Sequence, residues 1–171
     1  MTKFKDENDL QSDYEGREEM DQFCRNHRNF GLWAKLELKR AERYCEFLSL
    51  LVLDFSSLSK FARMGAVRSY CRIETLLEDI EKRICDRRSR IVRETDVVSG
   101  VANHRLLLLL PETPKEGAVV LAKRLKDDLK NIISSSLKTP PGWQLSMDIL
   151  SYPDRKGKER LMGFIGELTQ S

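Results

Sequence analysis

The residues that could carry chemistry are few, and their spacing suits little of it. Cys24, Cys45, Cys71 and Cys85 are too far apart to make a CxxC pair, and only His27 and His104 could complete a metal set. Zinc sites draw on Cys and His at short, regular intervals, so the four thiols read as reduced and mostly buried. Neither histidine has a Ser, Cys or Asp beside it that would suggest a nucleophilic triad. Asp54 closes an apolar run and precedes Ser56-Ser57. A carboxylate there suits the start of a helix, whose first amides lack partners. The densest cationic stretch is Lys82, Arg83, Arg87, Arg88, Arg90 and Arg93, relieved only by Glu81 and Asp86. It offers either an anion-binding surface or a solvated helix end with its cations at the negative pole of the helix dipole. No aromatic side chain interleaves it to stack on bases, which argues against nucleic acid.

These groups ride on 171 residues, one domain's worth of chain. A body of that size buries roughly two-thirds of the surface its unfolded chain exposes and needs no disulfide, metal or cofactor to be stable. With 40% hydrophobic residues, 9 Gly and 5 Pro, the composition excludes collagen-like, low-complexity and wholly disordered classes. No apolar run reaches the roughly 18 residues of a membrane span, and the N-terminus lacks a signal-peptide pattern. A cytoplasmic protein is therefore expected. Charge is uneven: the first 20 residues hold seven acids against three bases, a net −4 that leaves +7 for the remainder. So polar a stretch cannot offset its ordering entropy alone. Residues 1–28 are expected to be a flexible acidic leader or the end of a longer polar helix, with the domain over 29–171.

The elements that must position these groups follow from periodicity. Phe30, Leu32, Trp33, Leu36, Leu38, Ala41 and Tyr44 among Lys and Arg predict a basic amphipathic helix over 29–46. Residues 47–53 read as a strand buried on both faces. Ile73, Leu76, Leu77, Ile80 and Ile84 mark one helical face within 58–88. Apolar segments at Val97-Val98 and His104–Pro111, separated by Gly and Asn, predict a hairpin whose leucine-rich second strand is central in the sheet. A helix over 114–134, a strand over 143–150 and a short last helix with Leu161 and Ile165 follow. This order predicts an α+β, ferredoxin-like sandwich with a mostly antiparallel sheet flanked by helices.

Four stretches resemble a known family. They are Lys39-Arg40-Ala41-Glu42-Arg43-Tyr44 running into Leu48–Asp54, Arg93-Glu94-Thr95-Asp96 running without a gap to Leu108–Thr113, Glu116-Gly117-Ala118 through Ala122-Lys123-Arg124-Leu125, and Leu145-Ser146-Met147 through Ser151-Tyr152-Pro153. In order and interval, over about residues 36–168, they are similar to the GGDEF domains of bacterial diguanylate cyclases. The resemblance implies a nucleotide-cyclase-like fold, and it places the defining pentad at Ala102-Asn103-His104-Arg105-Leu106. Both glycines that admit GTP phosphates and both acids are replaced there. Ala102 adds a Cβ where backbone must approach phosphate, and His104 suits Mg²⁺ poorly. Of the family's catalytic groups Asp54 alone is matched, while its guanine-binding Asn and Asp fall at Ala62 and near Cys71 and its Lys falls at Ser59. The resemblance therefore implies a domain without diguanylate cyclase activity.

The resemblance also implies a ligand. Many members carry an inhibitory RxxD site five residues before the pentad, and Arg93-Glu94-Thr95-Asp96 stands at that distance from Ala102. Arg93 could offer planar donors to a guanine edge or phosphate, and Asp96 could accept guanine N–H groups. The family's secondary arginine falls at Arg124, and Arg87, Arg88 and Arg90 would add a favourable field for cyclic di-GMP. The alternative is a protein-interaction or dimerisation module that binds no nucleotide, either as a homodimer or with a signalling partner, through the 29–46 helix and Trp33. Trp33 could equally pack on the domain's own sheet.

Overall fold

The computed structural model describes residues 18–63, 70–86, 91–136 and 143–170. Arg87, Arg88 and Arg90 of the cationic stretch lie outside the described residues, as do residues 1–17. At the centre is β1 (Leu48–Asp54), whose residues are buried up to Leu53 because helices cover both faces of the sheet. β3 (Arg105–Pro111) runs antiparallel to it, from Leu48 opposite Pro111 to Asp54 opposite Arg105. On its other side β4 (Ser146–Tyr152) is also antiparallel, and the two-residue β2 (Val97–Val98) pairs with the far edge of β3. The order is β2-β3-β1-β4 with every pairing antiparallel, the ferredoxin-like arrangement expected.

Strand alternation divides the leucines between two cores. Leu51, Leu53, Leu106, Leu108 and Leu110 face α4 (Tyr70–Cys85) and α5 (Lys115–Ser136), meeting Ile73, Ile80, Leu125 and Leu129. Leu48, Leu50, Val52, Leu107 and Leu109 face α2 (His27–Tyr44) and α6 (Arg155–Gln170), meeting Phe30, Ala34, Leu38, Leu161 and Ile165. Each fully buried leucine contributes about 1.5–3 kcal/mol by transfer from water, which is why the β1–β3 pair can anchor both layers.

α2 starts where Asn26 accepts from the amides of Arg28 (2.8 Å) and Asn29 (3.3 Å), filling two of the helix's open donors. It ends at Cys45, in the left-handed conformation at φ 55°. Trp33 packs, half-buried, against the α2–α6 core, so the domain's own body takes its ring.

Three expectations about elements need correcting. Residues 18–28, grouped with a flexible leader on their charge, belong to the folded body. A helix, α1, covers 18–24 and places Met20 and Cys24, four residues apart, against the α2–α6 core, with Glu18 and Glu19 in solvent. The carbonyl of Arg25 then accepts the Gly100 amide at 2.9 Å, and a Cβ at Gly100 would stand 2.7 Å from that oxygen, so only glycine allows the contact. The region 58–88 holds two helices, α3 (Ser56–Arg63) and α4. The last strand begins at Ser146, because β4 pairs with β1 along its whole length and β1 sets the limits.

Candidate functional site

At the carboxyl end of β1 three segments converge: the strand's last residue, the start of α3 and the tip of the β2–β3 hairpin. The tip is a two-residue turn closed by mutual bonds between Ala102 and Arg105, 2.9 Å from the Arg105 amide and 3.1 Å from the Ala102 amide. Asn103 and His104 both take positive φ, 51° and 59°. A tight hairpin asks this of its two central residues, and Asn supplies it more readily than His. The Phe55 amide donates to the His104 carbonyl at 2.8 Å, tying the tip to the strand end.

Asp54 is fully engaged at this junction. Its Oδ1 accepts the Ser56 amide at 2.8 Å, the helix-start role its position suggested. Its Oδ2 accepts from Arg105 Nε at 3.3 Å across the β1–β3 pair. Burial pushes the Asp54 carboxyl up, but the bonds from Ser56 and the Arg105 guanidinium together outweigh it and hold the group below the ordinary aspartate range. The carboxylate is thus ionised, with a fixed cation beside it.

The junction does not fit a divalent cation. Mg²⁺ takes oxygen ligands from carboxylates and phosphates, and here Asp54 faces a guanidinium carried on the same hairpin. Among the described residues no group of three Asp, Glu, His or Cys side chains could hold a metal ion. Ala102, Asn103, His104 and Leu106 add no carboxylate. Ser59 is buried, and the side chains at Ala62 and Cys71 lie outside the described residues.

No family model matches the sequence, nor does any curated protein. Among solved structures, the GGDEF domain of YfiN (TpbB) from Pseudomonas aeruginosa superposes with a TM-score of 0.51 over 83% of this chain and 88% of that one, at 19% identity. The fold is that of a GGDEF domain. Diguanylate cyclase SiaD from Pseudomonas aeruginosa, solved in complex with its activator SiaC, gives a TM-score of 0.56 at 13% identity. That match takes in 95% of this chain and 64% of the SiaD chain. A DGC protein from Thermotoga maritima gives 0.50 at 19% identity, over 80% of this chain and 92% of its own. At identities this low the likeness shows the fold alone.

Arg93 and Asp96 come together on this GGDEF fold, at a cleft of about 290 Å³ between α1 and the approach to β2. Asp96 is only 5% exposed, and its Oδ2 accepts the Arg93 backbone amide at 2.7 Å while its own amide donates to the Arg93 carbonyl at 3.2 Å. The carboxylate thus closes its own turn. Glu18 and Asp21 of α1 line the same cleft, with Arg25 beside them. Arg124, exposed on α5, is not among the residues that line it.

Two contacts were invisible in the sequence. His27 Nε2 lies 2.9 Å from the Gly100 carbonyl oxygen and 3.3 Å from Ser99 Oγ, so this is a satisfied histidine that pins α2 to the hairpin. Burial pushes its imidazole below the ordinary range, with the Gly100 carbonyl working the other way. Glu81 accepts the Val101 amide at 2.9 Å and clamps α4 to the same hairpin. No local motif announces either. No helix among the described residues is long and apolar enough to cross a membrane.

Proposed function

We propose that this chain is a non-catalytic signalling module of GGDEF fold that acts by binding another protein. The observation that carries the reading is the Arg105 guanidinium 3.3 Å from Asp54 Oδ2. Phosphoryl transfer on a metal needs negative oxygen ligands around the ion and a backbone open to phosphate. Here a permanent cation stands on the only matching carboxylate, and side chains fill both positions where glycine would open the turn. The fold keeps its core after losing those groups, and fold alone does not fix activity. That the SiaD structure holds an activator protein gives the fold a precedent for protein contacts.

The receptor reading, cyclic di-GMP at Arg93 and Asp96 with Arg124, has one observation in its favour: the first two line one cleft. Three weigh the other way. Asp96 gives its Oδ2 to its own turn, the acids of α1 line the cleft, and Arg124 is not among its lining residues. The cleft also lies just under the roughly 300–1,000 Å³ that encloses drug-sized ligands. A protein partner is the stronger reading.

The test is turnover of GTP by the purified chain with Mg²⁺ or Mn²⁺. The expected result is no cyclic di-GMP above a protein-free blank. Accumulating product overturns the proposal.

A further inference from the structure

We propose that the outward face of α2, with the groove it makes against α6, docks an acidic amphipathic helix of a partner protein. This rests on the interaction reading above and adds the surface and the chemistry of the partner. α2 buries one stripe, Phe30, Ala34, Leu38 and Ala41, in its own core. A second stripe, Leu32, Lys35, Leu36, Lys39 and Arg43, falls at i, i+3, i+4, i+7 and i+11, which is one helical face. Leu32 is 44% and Leu36 57% exposed, and across the groove Met162 of α6 is 54% exposed.

Beside this stripe lies a groove of about 260 Å³ with Leu38, Met162, Ile165 and Gly166 in its walls and Lys35 and Lys39 at its edge. A Cβ built at Gly166 meets nothing within 4 Å, so the glycine leaves room for an incoming side chain. Helix-in-groove recognition uses this combination, apolar anchors at helical spacing set into a concave apolar wall.

Charge selects the occupant. Glu42, the acid in the lining, is held by Lys158 at 2.5 Å. Lys35 and Lys39 have no ion-pair partner among the described residues. A two-fold dimer through this face would bring these like charges together, which disfavours a second copy. A helix with glutamates flanking its leucines matches both the charge and the spacing. The concavity favours a protein segment over a flat anionic membrane.

The test uses the full chain and a labelled synthetic helical peptide carrying leucines at i, i+3 and i+7 flanked by glutamates, read by fluorescence anisotropy. A counterpart with lysines for glutamates is the control. Saturable binding of the acidic peptide alone is expected, weakened about tenfold or more by Lys35→Glu with Lys39→Glu. Gly166→Leu should also block binding by filling the groove, without lowering the melting temperature, because leucine is the better helix former. Equal binding of both peptides, indifference to these variants, or recruitment to phosphatidylglycerol vesicles in place of the peptide would overturn the proposal. GTP turnover would instead sink the reading beneath it, whatever the peptide does; a negative peptide result without turnover removes only this surface.

Discussion

Arg105 stands opposite Asp54 in the β1–β3 pair, its Nε 3.3 Å from Asp54 Oδ2. The two are joined by strand register, so the pairing follows from the sheet itself and does not depend on a chance meeting of flexible surface chains. The carboxylate that could have gathered cations is met by a guanidinium that never deprotonates, and its other oxygen serves the first amide of α3. The strand end is a structural joint between β1, the hairpin tip and α3.

That joint predicts a pH-dependent contribution to stability. The Asp54 carboxyl is held below its ordinary range in the folded chain, so its contribution is fully present above about pH 4 and is lost as pH falls through the folded value. Asp54→Ala should cost about 1 kcal/mol at pH 7, chiefly through the helix start, with the exposed ion pair adding little. Denaturant titrations should show the gap between variant and parent narrowing as pH drops below about 4; a gap constant with pH would contradict the assignment.

His27 has the same sign at higher pH. Its imidazole is held below its ordinary range by burial against Gly100 and Ser99, with Arg105 and Glu81 the charged groups acting on it. Between the folded value and the unfolded one near pH 6.5 the unfolded chain binds more protons. The parent should therefore lose stability from pH 7.5 to 5.5 relative to His27→Gln, as read by denaturant midpoints. Parallel curves would show that the histidine titrates alike in both states.

Gly100→Ala tests whether α1 and the hairpin are one body. The added methyl would lie 2.7 Å from the Arg25 carbonyl oxygen, and crowding of this kind costs typically 1–3 kcal/mol. Limited proteolysis should then cut near residue 25 in the variant before any other site. Unchanged stability and cleavage would mean that the contact is dispensable.

Much of the fold is legible in the sequence, and the reason is length and symmetry of burial. The apolar runs are Leu50–Leu53 in β1, preceded by Leu48 and the buried Ser49, and Leu106–Leu110 in β3, and so short a run between turn residues fits a strand covered on both faces. The α2 stripe was legible from its spacing. α1 was not, because its acids dominate the composition while only Met20 and Cys24 face inward. At the candidate site, counting placed the hairpin turn within Ala102–Leu106, and the observed turn closes between Ala102 and Arg105, but the Asp54–Arg105 pair spans 51 residues and the His27–Gly100 contact 73. Register and docking decide such contacts, and neither is written locally.

Calorimetry with cyclic di-GMP separates the two readings of function. With Asp96 closing its own turn and the α1 acids lining the cleft, tens of micromolar protein should give no saturable heat, and Arg93→Ala should change nothing. Saturable heat that disappears in Arg93→Ala would establish a nucleotide receptor instead.

The most direct test of the central claim is a Mn²⁺ titration in the presence of GTP, followed through paramagnetic broadening of the backbone amide resonances of the ¹⁵N-labelled chain. With Arg105 occupying the face of Asp54, no saturable broadening localised to residues 54–58 and 102–105 is expected. Saturable broadening there that vanishes in Asp54→Asn would show that the strand end still gathers metal, and the account would fail.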